Sequence, residues 1–83
     1  MPYIESKLRF GYNPETMYSP LDPGSLNFAI TTLCINYIKE RGKRYSTLNE
    51  VIGVLECAKL EFYRRAVAAY EDEKAKLNGD IYL

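Results

Sequence analysis

The sequence predicts an all-α protein: a helical hairpin of one short and one long helix, preceded by an irregular N-terminal arm and assembling as a helical homo-oligomer. Residues 47–77 contain no proline and carry apolar side chains on nearly every side of a helix. All four prolines, Pro2, Pro14, Pro20 and Pro23, fall within residues 1–24. The chain has 83 residues, one domain's worth. At that size a single core supplies only roughly 3 to 5 kcal/mol, so a helix that is apolar all round must find partners outside its own chain.

Residues 1–24 are the arm, where Gly11 and Gly24 join the prolines against any long regular element. Tyr3, Ile4, Leu8, Phe10, Tyr12, Met17, Tyr18 and Leu21 make it too apolar for a solvated tail. It is expected to lie across a helical surface of its own subunit or a neighbour, with room for a short strand or helical turn within residues 3–10.

Asp22-Pro23-Gly24 forms a turn, and Ser25 offers an N-cap oxygen to helix one, residues 26–41. Leu26, Ala29, Ile30, Leu33 and Tyr37 recur at helical spacing, and Gly42 is placed as the residue that ends the helix. Phe28, Ile35 and Ile38 lie partly off that stripe, which adds apolar surface a two-helix monomer does not cover. The short link, residues 42–46, favours an antiparallel hairpin.

Helix two spans residues 47–77. Thr47 and Glu50 are read as a capping box that opens it, and Asn78-Gly79 ends it before a tail of residues 78–83. At 1.5 Å per residue it is about 45 Å long against about 24 Å for helix one, and the overhang calls for a second copy, in a dimer or higher even assembly. Projection at 100° per residue places Val51, Leu55, Ala58, Phe62, Ala66 and Ala69 on one stripe, expected as core. Ile52, Tyr63 and Tyr70 form a second stripe, bordered by charge.

Composition excludes several activities. There is no histidine, the commonest general base and metal ligand. The two cysteines, Cys34 and Cys57, lie in helical patterns and read as reduced thiols. Lys plus Arg equal Asp plus Glu at 11 each, so no global basic field draws nucleic acid. Helix-turn-helix DNA binding is disfavoured because the second helix starts apolar. No apolar run reaches the ~20 residues of a membrane span and the start lacks an apolar signal region, so a cytoplasmic protein is expected. Acidic pairs facing one metal across two helices, as in helical nucleotide pyrophosphatases, are missing from the pattern, since helix one carries only Glu40, at its end. The expectation is a protein without catalytic residues, metal or cofactor.

The residues left for function are charged or aromatic groups inside the long helix. Lys59, Arg64 and Arg65 suit an anion, because guanidinium forks match phosphate oxygens. Tyr63 and Tyr70 offer flat faces to a base. Thr31 and Asn36 on helix one add hydroxyl and amide contacts. Ordinary roles compete: Glu61 with Arg65 and Glu56 with Lys59 at helical ion-pair spacing, threonines bonded to the preceding turn, and Arg41-Gly42-Lys43-Arg44 as cations complementing a helix C-terminus.

The segment LNEVIGVLECAKLEFYRR, residues 48–65, with Tyr70-Glu71-Asp72 and Asn78-Gly79-Asp80-Ile81-Tyr82, resembles a small domain family of unknown function found in bacteria, archaea and bacteriophages. Met1-Pro2-Tyr3-Ile4 and residues 26–31 share the resemblance, while residues 10–24 depart from it in their proline and tyrosine content. The family brings no catalytic residues. Its phage distribution, together with small size and helicity, implies a similarity to phage sponges that sequester nucleotide immune signals. The expected function is therefore a non-catalytic oligomer binding a small anionic ligand of cyclic or ADP-ribose nucleotide type. The alternatives are a protein-interaction module that adapts or inhibits a host protein, then nucleic-acid binding.

Overall fold

A computed structural model describes residues 2–9 and 17–82. Helix α1 spans Pro23–Arg41, α2 spans Tyr45–Phe62, and α3 spans Ala68–Asn78. A single 3-10 turn, Ser6–Arg9, lies in the arm, and no strand occurs among the described residues.

The start of α1 is set by Asp22 rather than Ser25. The Asp22 carboxylate accepts the Ser25 N–H at 2.7 Å from an extended backbone, and Pro23 follows within the first turn. A proline there loses no hydrogen bond and its fixed φ suits the helix, so the cap moves ahead of it. The Ser25 backbone N–H and hydroxyl hold the Asp22 carboxyl below the usual carboxylate range. At the other end Gly42, at φ 94°, donates its N–H to the Ile38 carbonyl at 2.8 Å and stops the helix, as the sequence indicates.

The second helix opens two residues earlier than expected, and the capping box is reversed. Arg44 is the N-cap and Thr47 the third helical residue. The Thr47 hydroxyl accepts the Arg44 N–H at 3.0 Å and lies 2.7 Å from the Gly42 carbonyl, to which it donates, with the Arg44 carbonyl also at 2.9 Å. It ties the link to the helix start. Glu50, released from capping, accepts the Tyr37 hydroxyl of α1 at 2.9 Å.

From Tyr45 the helix runs on to Asn78, but through a π turn at Tyr63–Val67, closed by the Ala68 N–H on the Tyr63 carbonyl. One extra residue in a turn rotates everything downstream by roughly 100°. The straight projection therefore does not carry past residue 62, where Val67, Ala68 and Ala75 are half-buried; Ala66 and Ala69 are exposed, as Leu55, Ala58 and Phe62 of the same stripe already are before the turn. Gly79, at φ 90°, ends α3 with its N–H on the Ala75 carbonyl at 2.9 Å.

The arm crosses the hairpin. Pro2 sits in a groove with Tyr37 of α1 and Gly53, Val54 and Cys57 of α2, and the Tyr3 hydroxyl donates to Glu61. Expectations placed on Phe10, Tyr12 and Pro14 lie outside the described residues.

Helices α1 and α2 pack sparsely. Among the described residues no apolar side chain is buried, and Thr47, 2% exposed, is the one buried residue. The stripe expected as core is open in the single chain, with Phe62 at 68% exposure and Leu55 at 37%. The radius of gyration is 16.7 Å, where a compact domain of this length would have about 12 Å.

Candidate functional site

The residues singled out on the long helix are arranged as paired charges around the π turn. Glu61 is the centre. Its side chain is 18% exposed and receives both Arg64 forks, Nη2 to Oε1 at 2.7 Å and Nε to Oε2 at 3.4 Å, along with the Tyr3 hydroxyl. The Arg64 guanidinium, then the Tyr3 hydroxyl, hold the Glu61 carboxyl below its usual range, and Glu61 in turn pushes Arg64 up. The expected partner was Arg65; Arg64 takes the place because its planar fork meets both oxygens from one turn away.

Lys59 pairs with Glu56 at 3.2 Å, at the spacing read from sequence. The Tyr63 hydroxyl donates to Glu71 at 2.9 Å, and that carboxylate raises the phenol's pKa above its usual value. Lys74 lies over the Tyr70 ring, 5.6 Å from its centroid. Arg65 is exposed and makes no hydrogen bond or ion pair among the described residues.

Thr31 and Asn36 stay on α1. Thr31 donates to the Asn27 side chain at 3.1 Å, one turn back, rather than to a backbone carbonyl, and Asn36 is exposed. No described cleft gathers them with Lys59, Tyr63, Arg64 and Arg65, so one chain does not assemble the seven residues into a pocket. Tyr70 borders a shallow depression shared with Glu71, Asp72, Lys74 and Tyr82. In the basic turn, Arg41 stacks on Tyr37 at 4.1 Å, and Arg44 donates to the Arg41 carbonyl at 3.2 Å. These cations serve the helix end.

The largest concavity is one the sequence reading did not single out. It is an open cleft of about 880 Å3 between residues 17–20 and α1, walled by Met17, Tyr18, Leu26, Phe28, Ile30 and Leu33. Phe28, placed off the main stripe of helix one, was the available signal. Cys34 and Cys57 are free thiols, half-buried and exposed respectively. Among the described residues no group of acids and cysteines is placed to hold a metal ion, and no helix is long and apolar enough to cross a membrane.

The fold and the site define a chain that is all-α among the described residues, with open apolar faces and with acid-base pairs along one long helix. The chain belongs to the domain family of unknown function DUF6899, whose family model matches residues 1–81. No curated protein and no solved structure matches it.

Proposed function

We propose that the protein is a non-catalytic homo-oligomer that binds a small anionic ligand, most concretely a cyclic or ADP-ribose-type nucleotide, at a site completed by a neighbouring protomer. The observation that carries the reading is Arg65. It is an exposed guanidinium within the π turn, hydrogen-bonded to no carboxylate among the described residues while its charge adds to the field that Arg64 sets on Glu61, one residue from Arg64 and two from the half-exposed Tyr63 ring. A π turn within a long helix frequently marks a functional position. The fork offers two parallel donors to a phosphate, and the tyrosine faces suit a base. Lys59 and Arg64 join such a site only by leaving Glu56 and Glu61, so Arg65 provides the first contact. In a phage setting this activity would be that of a sponge for nucleotide immune signals.

Calorimetry of the purified chain with cyclic dinucleotides, cyclic trinucleotides and ADP-ribose derivatives tests the reading. Binding by one class is expected, together with a ligand-dependent rise in melting temperature. Arg65→Ala should weaken it by roughly ten-fold or more, the loss of one charge-assisted contact. No binding across the panel overturns the proposal. The second reading, an adaptor or inhibitor of a host protein, draws on the exposed apolar faces of α2 such as Ile52 at 66% and Val54 at 65%. It predicts a stable heterologous complex and no thermal response to nucleotides.

A further inference from the structure

We infer that a second copy of this chain covers the open apolar cleft between residues 17–20 and α1, making the protein an obligate oligomer in which folding and assembly are one event. The inference rests on the oligomeric part of the reading above and specifies the surface involved.

Area is the first argument. The single chain exposes 7858 Å2, whereas a compact monomer of 9.6 kDa exposes about 5,100 Å2. The excess, about 2,800 Å2 per chain, is at least what one partner contributes to an obligate dimer interface, roughly 1,000 to 2,500 Å2. A small ligand or a short peptide hides far less than this. The excess is also apolar where it is most concave: Phe28 is 73% exposed, Leu33 65% and Leu26 50%, all on the cleft wall.

Chemistry of the cleft is the second argument. Among the described residues its one carboxylate, Asp22, is committed to the Ser25 N–H as a helix cap, so the described wall offers no free charge to select a charged partner. The occupant must be apolar. The chain itself carries an apolar face on α2, with Leu48, Leu55 and Phe62 at 42%, 37% and 68% exposure. Its basic and acidic residues balance at 11 each, so copies approach without net repulsion.

Supply is the third. A chain with no buried apolar side chain among its described residues has little to hold it folded before the partner arrives. A second copy is present at equal concentration from the moment of synthesis, and a different protein need not be.

The test is sedimentation equilibrium of the full chain over a concentration series, with hydroxyl-radical footprinting of the same samples. The expected result is a mass at least twice the 9.6 kDa of one chain, with Met17 and Phe28 protected and Leu21, outside the cleft, reactive. Leu33→Glu should raise the dissociation midpoint by roughly ten-fold or more, since it places an unpaired charge in the interface, while Lys39→Glu, on α1 but away from the cleft, leaves it in place. If Leu33→Glu fails to fold at any concentration, the wild-type footprint decides.

A helical 9.6 kDa monomer overturns the inference. So does an oligomer in which Met17 and Phe28 react freely, or a fixed-ratio complex with another protein while the free chain stays monomeric. A protected oligomer that binds no nucleotide sinks only the ligand reading. A monomer that binds nucleotide sinks this inference together with the oligomeric part of the reading above, and leaves the ligand class standing.

Discussion

Thr47 shows how much one small side chain carries where no apolar side chain among the described residues is buried. Its hydroxyl closes the link between the two helices by serving the Arg44 N–H and the Gly42 carbonyl at once, and it is 2% exposed. Removing that oxygen while keeping the shape strands two backbone groups away from water. Thr47→Val should therefore destabilise the protein by roughly 1 to 3 kcal/mol, and Thr47→Ser, which keeps the hydroxyl, by less than about 1 kcal/mol. Urea midpoints measured at one fixed protein concentration would show the difference, and equal losses for both variants would assign the effect to the methyl group. Glu61 makes the complementary case for charge. Its folded pKa lies below the ordinary 4.5, because Arg64 and Tyr3 stabilise the ionised form. The stability it contributes is present above 4.5 and is lost as pH falls through the depressed folded value. Acid should thus loosen the arm from α2, and Glu61→Gln should flatten that acid dependence. Limited proteolysis of residues 2–9 across an acid series reads the arm directly.

At the scale of elements, stops were legible and starts were less so. Gly42 and Gly79 end their helices at the positions read from sequence, because a left-handed backbone is a local demand that glycine meets without cost from a side chain. Gly42→Ala should accordingly cost about 1 to 2 kcal/mol. At Gly53, inside α2, a new Cβ meets nothing within 4 Å. Gly53→Ala should add about 0.5 to 1 kcal/mol by helix propensity alone, and thermal melts of the pair would show opposite signs. Helix starts are ambiguous because several nearby residues can cap: Asp22 competes with Ser25, and Thr47, at the third helical position, accepts the Arg44 N–H upstream where a capping Thr47 would accept one downstream. The π turn was not legible at all. No residue type in Tyr63–Val67 demands it, yet one inserted position shifts the register of every residue after it, and Val67 and Ala68 are the half-buried pair there. In the candidate site, the Glu56–Lys59 pair was readable as a helical spacing, whereas the Tyr3–Glu61 contact joins residues 58 positions apart and follows only from the path of the arm.

The whole molecule is extended, 50 Å along its longest axis, and its two helical arms meet mainly at the link. Such a shape has a thermodynamic consequence. Where no apolar side chain among the described residues is fully buried within one chain, an oligomer would draw most of the hydrophobic term that opposes conformational entropy from contacts between chains. On the oligomeric reading proposed above, dissociation would remove the main reason to stay helical, and a folded monomer would not be a populated station on the way to the unfolded state. Native oligomer and unfolded monomer should exchange in a single step whose midpoint depends on protein concentration. Diluting the chain at constant temperature should lower helical circular dichroism and molecular mass over the same concentration range. A compact helical domain that merely pairs would instead lose mass first and keep its ellipticity. Coincident curves place the stabilising contacts between protomers, and curves separated by a decade or so would place them within the hairpin and arm, with the Tyr3–Glu61 and Tyr37–Glu50 bonds then carrying more than their exposure suggests.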